Sequence, residues 1–538
     1  MTEEPAVILT GPRTVGKSTL LAGLGREWDR PVFDLDRPDA RAAAVADPGF
    51  LASGPEPVLI DEFQHAPEIL DAIKAELNRD TRPGRFVLTG STRYTVLPQA
   101  AQSLTGRVHV INVLPLSQGE LYGHRERFIE MLWQDPERIL PTVAVHSSTR
   151  DEYVNRILAG GFPMILQRRT IRARTSWFAD YVDLVVMRDV LDIARVRQRE
   201  ALPRLLRQLA AQTGQLLNIT KAGQAAGLES STANRYAALL EAAFMVQRLP
   251  AWGETLGKRL TAHPKVHVID SGLAGWLLGL SAAKINSRNP AVLTEFGHLV
   301  ETFAVGEILK QVSWSDEVIT ASHFRTESGD EVDLVLETWD GRVAAFEIKA
   351  GTRIKDPDLN GLRLLRDRLG DRFMGGFVLN LGELAYHKEE RIAIVPLSAL
   401  WSLPGPGPSG IHCATTAARA SRETPERQDP YVLYRSGGGA RSERLVRRNQ
   451  VIRPVTRAGA AGWPGIRCST ARESSAAARA RMIRRSGRPC RIRDGSSQTA
   501  PGCQVRLAGA ATGKGSVPGT TGSGEVSSAP PVLGSRSA

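Results

Sequence analysis

Residues 6–19 read AVILTGPRTVGKST, an apolar run followed by a glycine-bounded loop. The loop fits G-x-x-x-x-G-K-[ST] from Gly11 to Ser18, the pattern whose backbone N–H groups cradle phosphate oxygens. Gly11, Pro12, Arg13, Thr14, Val15, Gly16, Lys17, Ser18 and Thr19 are therefore the expected nucleotide-binding residues. Lys17 is placed to reach the β- and γ-phosphates, Ser18 to ligate Mg2+, and the helix that follows adds its N-terminal dipole. A chance glycine loop is the bland alternative. The eight-position match between an apolar strand and a helical run speaks against it.

Working outward, PVFDLD (31–36), PVLIDE (57–62), RFVLTGS (85–91) and VHVINVLPL (108–116) are further short apolar runs, with helical stretches between several of them. Runs of this kind are buried parallel strands, so the expected fold class is α/β, opening with a P-loop NTPase parallel sheet. In PVLIDE, Asp61 emerges at the strand end where it can hold the Mg2+ shell, and Glu62 is placed to orient or deprotonate a water. Thr89 and Ser91 end another strand, where a hydroxyl either senses a γ-phosphate or simply caps the strand.

Length sets a soft prior of about three or four domains at ~100–200 residues each. No apolar run approaches the ~20 residues that span a bilayer, and the acidic start MTEEPAVILT is unlike a secretory signal. A cytoplasmic protein with no membrane partner is expected. Of the 69 basic and 57 acidic residues, 22 and 7 lie after residue 400, leaving 47 and 50 before it. The net charge of +12 thus belongs to the tail and says nothing of a nucleic-acid surface on the body. Beyond LPGPGPSG the chain is rich in Arg, Gly, Ser, Ala and Pro, and disorder is expected over 402–538. All four cysteines (Cys413, Cys468, Cys490, Cys503) lie there without C-x-x-C spacing, against a zinc site. Lys514 is the single lysine among the tail's basic residues. Two readings stand: an Arg-rich tail able to bind nucleic acid, or GC-rich coding sequence read out of frame.

Residues 217–250 carry ITKAGQAAGL and then ESSTANRYAALLEAAFMVQRL, a helix-turn-helix pattern with its break at Gly227. The second helix is expected to bury Ala238, Leu239, Ala242, Ala243 and Val246. Its start presents Ser230, Ser231, Asn234 and Arg235 as candidate DNA contacts. Such units also serve as protein–protein modules.

The stretch GDEVDLVLETWDGRVAAFEIKA (329–350) reads as a hairpin. A three-residue turn, Trp339-Asp340-Gly341 with Gly341 left-handed, sets Val332 against Ile348, Leu334 against Phe346 and Leu336 against Ala344. One face is then apolar and Asp333 lies opposite Glu347; a one-residue slip would bury a carboxylate against leucine. Two carboxylates at cross-strand distance suggest a shared divalent cation, with Lys349 beside Glu347 to orient a water. Glu301, on an apolar helix face upstream, is expected to project into the same site. Glu301, Asp333, Glu347 and Lys349 resemble the PD-(D/E)xK nuclease core; a sheet with a polar face and incidental ion pairs is the alternative.

As a whole the chain resembles a broad prokaryotic family of AAA-type ATPases. The resemblance rests on GPRTVGKSTLL, FDLD, LIDEFQHAP, FVLTGS, LTGRV, LPLS, GGFP, DSGL, GDEVDLVLE and FEIKA, in order over residues 5–401. It implies a P-loop domain (1–135), a helical lid or connector (136–195), a winged-helix-like module (196–285) and a PD-(D/E)xK nuclease-like domain (286–401), with ATP and Mg2+ as cofactors. It also points to Arg107 as an arginine finger acting on a neighbouring subunit's nucleotide in a homo-oligomer; a solvated loop arginine is the plainer reading. Two functions follow from different classes: an ATP-hydrolysing protein acting on DNA with a nuclease module, or a nucleotide-switched scaffold whose nuclease-like domain is inactive.

Overall fold

Five of the apolar runs form one parallel sheet in the computed structural model: β1 (Ala6–Thr10), β2 (Val32–Asp34), β3 (Val58–Asp61), β4 (Phe86–Gly90) and β5 (Val108–Asn112), in the order β2-β3-β4-β1-β5. The structure describes residues 3–91, 104, 106–143, 148–190, 196–253 and 262–402. Of the expected tail, 402–538, Ser402 ends the helix Ala399–Ser402 and the rest lies outside the described residues. Val, Ile and Leu fill β1, β3 and β4 because both faces of those strands are covered, the pattern of a parallel sheet flanked by helices. The helix Ile69–Arg79 buries Ile69, Leu70, Ile73 and Leu77 at helical spacing against one face.

Between Gln118 and Leu184 the described residues form short helices, broken at Gly160–Phe162 as the GGFP motif predicts. The helices Ala201–Ala210, Ile219–Ala226 and Ser230–Ala242 follow. With them stands a small antiparallel sheet of β6 (Gln215–Leu216), β7 (Val246–Leu249) and β8 (Lys265–Val268), ordered β6-β8-β7. The second helix of the turn motif buries Ala233, Tyr236, Ala237 and Leu240, while Ala238 is exposed and Leu239 half-buried. Of the expected buried residues, Ala242, Ala243 and Val246 are buried as predicted, and only Ala238 and Leu239 are not.

The C-terminal part carries a six-stranded mixed sheet: β9 (Ile319–Arg325), β10 (Glu331–Thr338), β11 (Val343–Lys349), β12 (Phe373–Asn380), β13 (Tyr386–Glu389) and β14 (Ile392–Pro396), ordered β13-β14-β12-β11-β10-β9. The helix Pro290–Ser313 packs on one face and Asn360–Leu369 on the other. One continuous core joins the connector helices, the middle module and the first of these faces, from Phe128 to Trp401. The middle module is also tied to the sheet edge by main chain: Trp252 N–H donates to the His323 carbonyl (2.5 Å) and His323 N–H to the Pro250 carbonyl (2.9 Å).

The hairpin takes the expected register. Leu334 lies opposite Phe346 and Leu336 opposite Ala344, and Gly341 N–H closes the turn on the Thr338 carbonyl with φ +86° at Gly341. The pairing ends at Leu334–Phe346, so the expected pairs Asp333–Glu347 and Val332–Ile348 do not continue it. Val332 packs with Val335 and Leu362 under helix Asn360–Leu369, not with Leu334. The pairing of β10 with β9 shifts by one between Val332 and Val335, and that irregularity breaks the alternation at Asp333.

Candidate functional site

Parallel strands bring their C-terminal ends to one edge, so Gly11, Asp61 and Ser91 gather there although far apart in sequence. Lys17 is buried and its ammonium donates to the carbonyls of Gly11 (2.9 Å) and Pro12 (2.8 Å), folded over the loop it serves. The Thr89 and Ser18 hydroxyls hydrogen-bond the Asp61 carboxylate, and Thr89 Oγ1 also accepts the Glu62 N–H at 3.1 Å. Burial pushes Asp61 above the usual carboxylate range, against the pull of these two hydroxyls. Glu62 has a left-handed backbone (φ 53°), a conformation that costs a non-glycine residue roughly 1 kcal/mol and tends to mark functional turns. Gln64 Nε2 links the Glu62 carboxylate to Ser91 Oγ, the latter at 3.2 Å. Sequence reasoning missed Gln64, which sits two residues beyond the acidic pair where no pattern marks it.

Arg107 lies elsewhere. Ala6 pairs with Val108, so Arg107 stands at the N-terminal edge of the sheet, at the opposite end of the strands from Gly11. It donates to Asn78 Oδ1 at 2.6 Å.

The exit of β5 runs beside the loop: Val113 N–H donates to the Thr10 carbonyl (2.7 Å) and Thr10 Oγ1 to Asn112 Oδ1 (2.9 Å). From there LPLS, GGFP and DSGL meet in one buried junction. Leu116 N–H donates to the Gly161 carbonyl (2.8 Å), while Asp270 accepts the N–H groups of Gly161 (2.7 Å) and Leu273 (2.9 Å). Lys310, on helix Pro290–Ser313, donates to the Leu116 carbonyl (3.1 Å) and Glu307 (2.6 Å). A Cβ on Gly161 would stand 2.2 Å from the Leu116 oxygen, so the close approach requires glycine. These three motifs therefore join segments that lie far apart in the chain.

Glu301, Asp333, Glu347 and Lys349 all line one cleft of about 930 Å³ between helix Pro290–Ser313, the hairpin and the start of helix Asn360–Leu369. Glu347 Oε1 accepts from Lys349 Nζ at 2.5 Å; its Oε2 is buried without a partner, and burial together with the Asp333 charge pushes the group up to about 8. Asp333 Oδ2 accepts the Ile348 N–H at 2.9 Å.

The unexpected member is Lys265 on β8. Its ammonium, on a residue only 1% exposed, lies 2.8 Å from Glu301 Oε1, 2.8 Å from Asp333 Oδ1 and 2.6 Å from Glu331 Oε1. Burial alone would push Lys265 down, but Asp333, Glu301 and Glu331 outweigh it and hold the ammonium charged. Burial also drives Glu301 well above its ordinary range, whereas Lys265 and Lys349 overcome burial at Asp333 and hold it low. Among the described residues no group of three or more His, Cys, Asp or Glu is arranged to hold a metal ion, and Lys265 pairs with Glu301, Glu331 and Asp333.

Ser230, Ser231, Asn234 and Arg235 lie exposed at the start of their helix. Ser230 shares a 3.1 Å hydrogen bond with Thr220, and the Arg235 guanidinium lies over the Tyr236 ring. Among the described residues no helix is long and apolar enough to cross a membrane.

Residues 3–122, which carry the N-terminal sheet and its phosphate-binding-type loop, match the family model described as AAA domain. Residues 150–284 and 296–400 match two domains of unknown function, DUF8612 and DUF4143. Uncharacterized proteins of Mycobacterium tuberculosis and Mycobacterium bovis are each 28% identical over 394 residues, 73% of this chain and 80% of theirs. An uncharacterized protein of Haemophilus influenzae is 24% identical over 243 residues, 43% of this chain and 54% of its own. Among solved structures, the Thermotoga maritima RuvB Holliday junction branch migration motor is similar at 17% identity, over 46% of this chain and 82% of that one, with a TM-score of 0.21.

Proposed function

We propose that this chain binds and hydrolyses ATP at the loop Gly11–Ser18 and uses the turnover to act on DNA in the cytoplasm. The observation that carries the proposal is the shared edge where Lys17, Ser18, Asp61, Glu62 and Thr89 converge. Loop N–H groups and Lys17 bind the phosphates, and Glu62, anchored through Gln64 and the Thr89 bond to its own N–H, orients the attacking water. The Ser18 hydroxyl and Asp61 carboxylate are hard oxygen donors that fit Mg2+, which when bound neutralises phosphate charge. Replacing Lys17 with Ala tests the site: ATP turnover should disappear, and undiminished turnover would refute the assignment.

The helix–strand–helix–helix–strand–strand order of residues 201–268 supports a winged-helix-like module, with Ser230, Ser231, Asn234 and Arg235 as its DNA-facing candidates. The helix Pro290–Ser313 and hairpin β10–β11 support a PD-(D/E)xK-like domain. Arg107 is proposed to serve a neighbouring copy, since it stands away from the nucleotide of its own chain. A second reading is favoured by Lys265: a nucleotide-switched scaffold whose nuclease-like cleft holds a partner without cutting it. Incubating supercoiled DNA with Mg2+ or Mn2+ separates the two. Nicking by the wild type that is lost in Asp333→Ala supports cleavage; intact DNA in both supports the scaffold.

A further inference from the structure

Three carboxylates from two elements point at one ammonium that neither element supplies. Glu301 comes from helix Pro290–Ser313, Glu331 and Asp333 from β10, and Lys265 from β8 of the middle module. Two of the lysine's three N–H donors go to Glu301 and Asp333 at 2.8 Å, and Glu331 Oε1 lies 2.6 Å from the same nitrogen as an ion pair. Lys265 is reached from beneath the cleft, since the carboxylates line the cleft and the lysine does not. It supplies from below the positive charge that a divalent ion would supply from above.

We propose that Lys265 is the resident cation of this cleft, pairing with Glu301, Glu331 and Asp333 so that divalent metal does not bind there while β8 is in place. The inference rests on the nuclease-like reading of the C-terminal domain but makes its own claim, about charge and not cleavage. Divalent cations need several oxygen ligands, usually with two or more carboxylates facing the ion. Here Asp333 gives one oxygen to Lys265 and the other to the Ile348 N–H, and Glu347 gives one to Lys349. The unpartnered Glu347 Oε2 is what the cleft floor leaves open. Removing the ammonium strips Glu301 and Asp333 of their cation, while Glu331 keeps Arg325 at 2.6 Å, and turns the floor into an oxygen-rich, more negative pocket. Because Lys265 belongs to β8, between β6 and β7, the middle module controls the charge of the C-terminal cleft.

The test is a calorimetric titration of the nucleotide-free full chain with MnCl2, comparing wild type, Asp333→Asn, Lys265→Met and the Lys265→Met/Asp333→Asn pair. Wild type should show no Mn2+ binding that Asp333→Asn removes. Lys265→Met should bind Mn2+ at least about tenfold more tightly than wild type, and the added Asp333→Asn should reverse the gain. A folded Lys265→Met protein without that gain would overturn the proposal, as would wild-type binding that Asp333→Asn abolishes. If Lys265→Met does not fold, the wild type against Asp333→Asn comparison decides alone: the same weak titration in both sustains the proposal. DNA left intact by every variant, with Mn2+ gained by Lys265→Met, would defeat the cleavage reading and leave the role of Lys265 standing.

Discussion

Replacing Asp270 with alanine strikes the junction where three sequence-distant motifs meet, and its cost can be worked from the structure. Asp270 is 5% exposed and each of its oxygens has one main-chain donor. Oδ1 accepts Leu273 N–H and caps the helix Ser271–Leu277, a contribution of ~1 kcal/mol for a typical N-cap. Oδ2 accepts Gly161 N–H, and a buried N–H left without an acceptor costs about 1–3 kcal/mol. Burial pushes the Asp270 carboxyl upward, so its removal returns some desolvation. The expected net loss is about 2–4 kcal/mol, read as the shift in urea unfolding followed by circular dichroism. Asp270→Asn keeps one acceptor and turns its amide donors toward an N–H, so it should lose about half as much. A loss below about 1 kcal/mol for Asp270→Ala would refute the view that the junction holds these segments together.

Thr89→Val keeps shape but removes the hydroxyl that bonds Asp61 and Glu62 N–H. ATP turnover should fall about tenfold or more with nucleotide affinity nearly unchanged, since hydrogen bonds to charged groups are worth ~1.5–3 kcal/mol; equal kcat in steady-state assays would contradict it. His267 is fully buried, and burial with the nearby Lys265 ammonium pushes it down to about 3. Below its unfolded value near 6.5, the unfolded chain holds a proton that the folded chain refuses. The stability tied to neutral His267 is therefore complete above about pH 6.5 and lost as pH falls toward 3, at up to ~1.4 kcal/mol per pH unit. His267→Asn should make the stability slope shallower by about that amount in urea titrations between about pH 6 and 4; parallel slopes would count against the buried neutral ring.

Local patterns in the sequence carried the N-terminal sheet and its loop, because strand, glycine loop and helix start are adjacent there. They also carried the hairpin register, since a period-two apolar pattern allows only one alignment that avoids burying Glu347 against Leu334. The displacement of Val332 was invisible because it arises from pairing with β9, which the hairpin itself does not contain. Lys265 was invisible for a stronger reason. A lone lysine opening KVHV reads as a solvated strand end, and its three partners lie between 36 and 68 residues away. LPLS, GGFP and DSGL could be recognised as motifs, yet their roles became readable only once Leu116, Gly161 and Asp270 stood together.

The central claim is that Glu62 activates water at a nucleotide held by the loop Gly11–Ser18. Glu62→Gln keeps the side chain's size and its place beside Gln64 and removes its basicity. Measured together, ATP binding by the variant should stay within about threefold of wild type while turnover falls by about 100-fold or more, the range of a lost general base. Turnover at the wild-type rate in Glu62→Gln would contradict it.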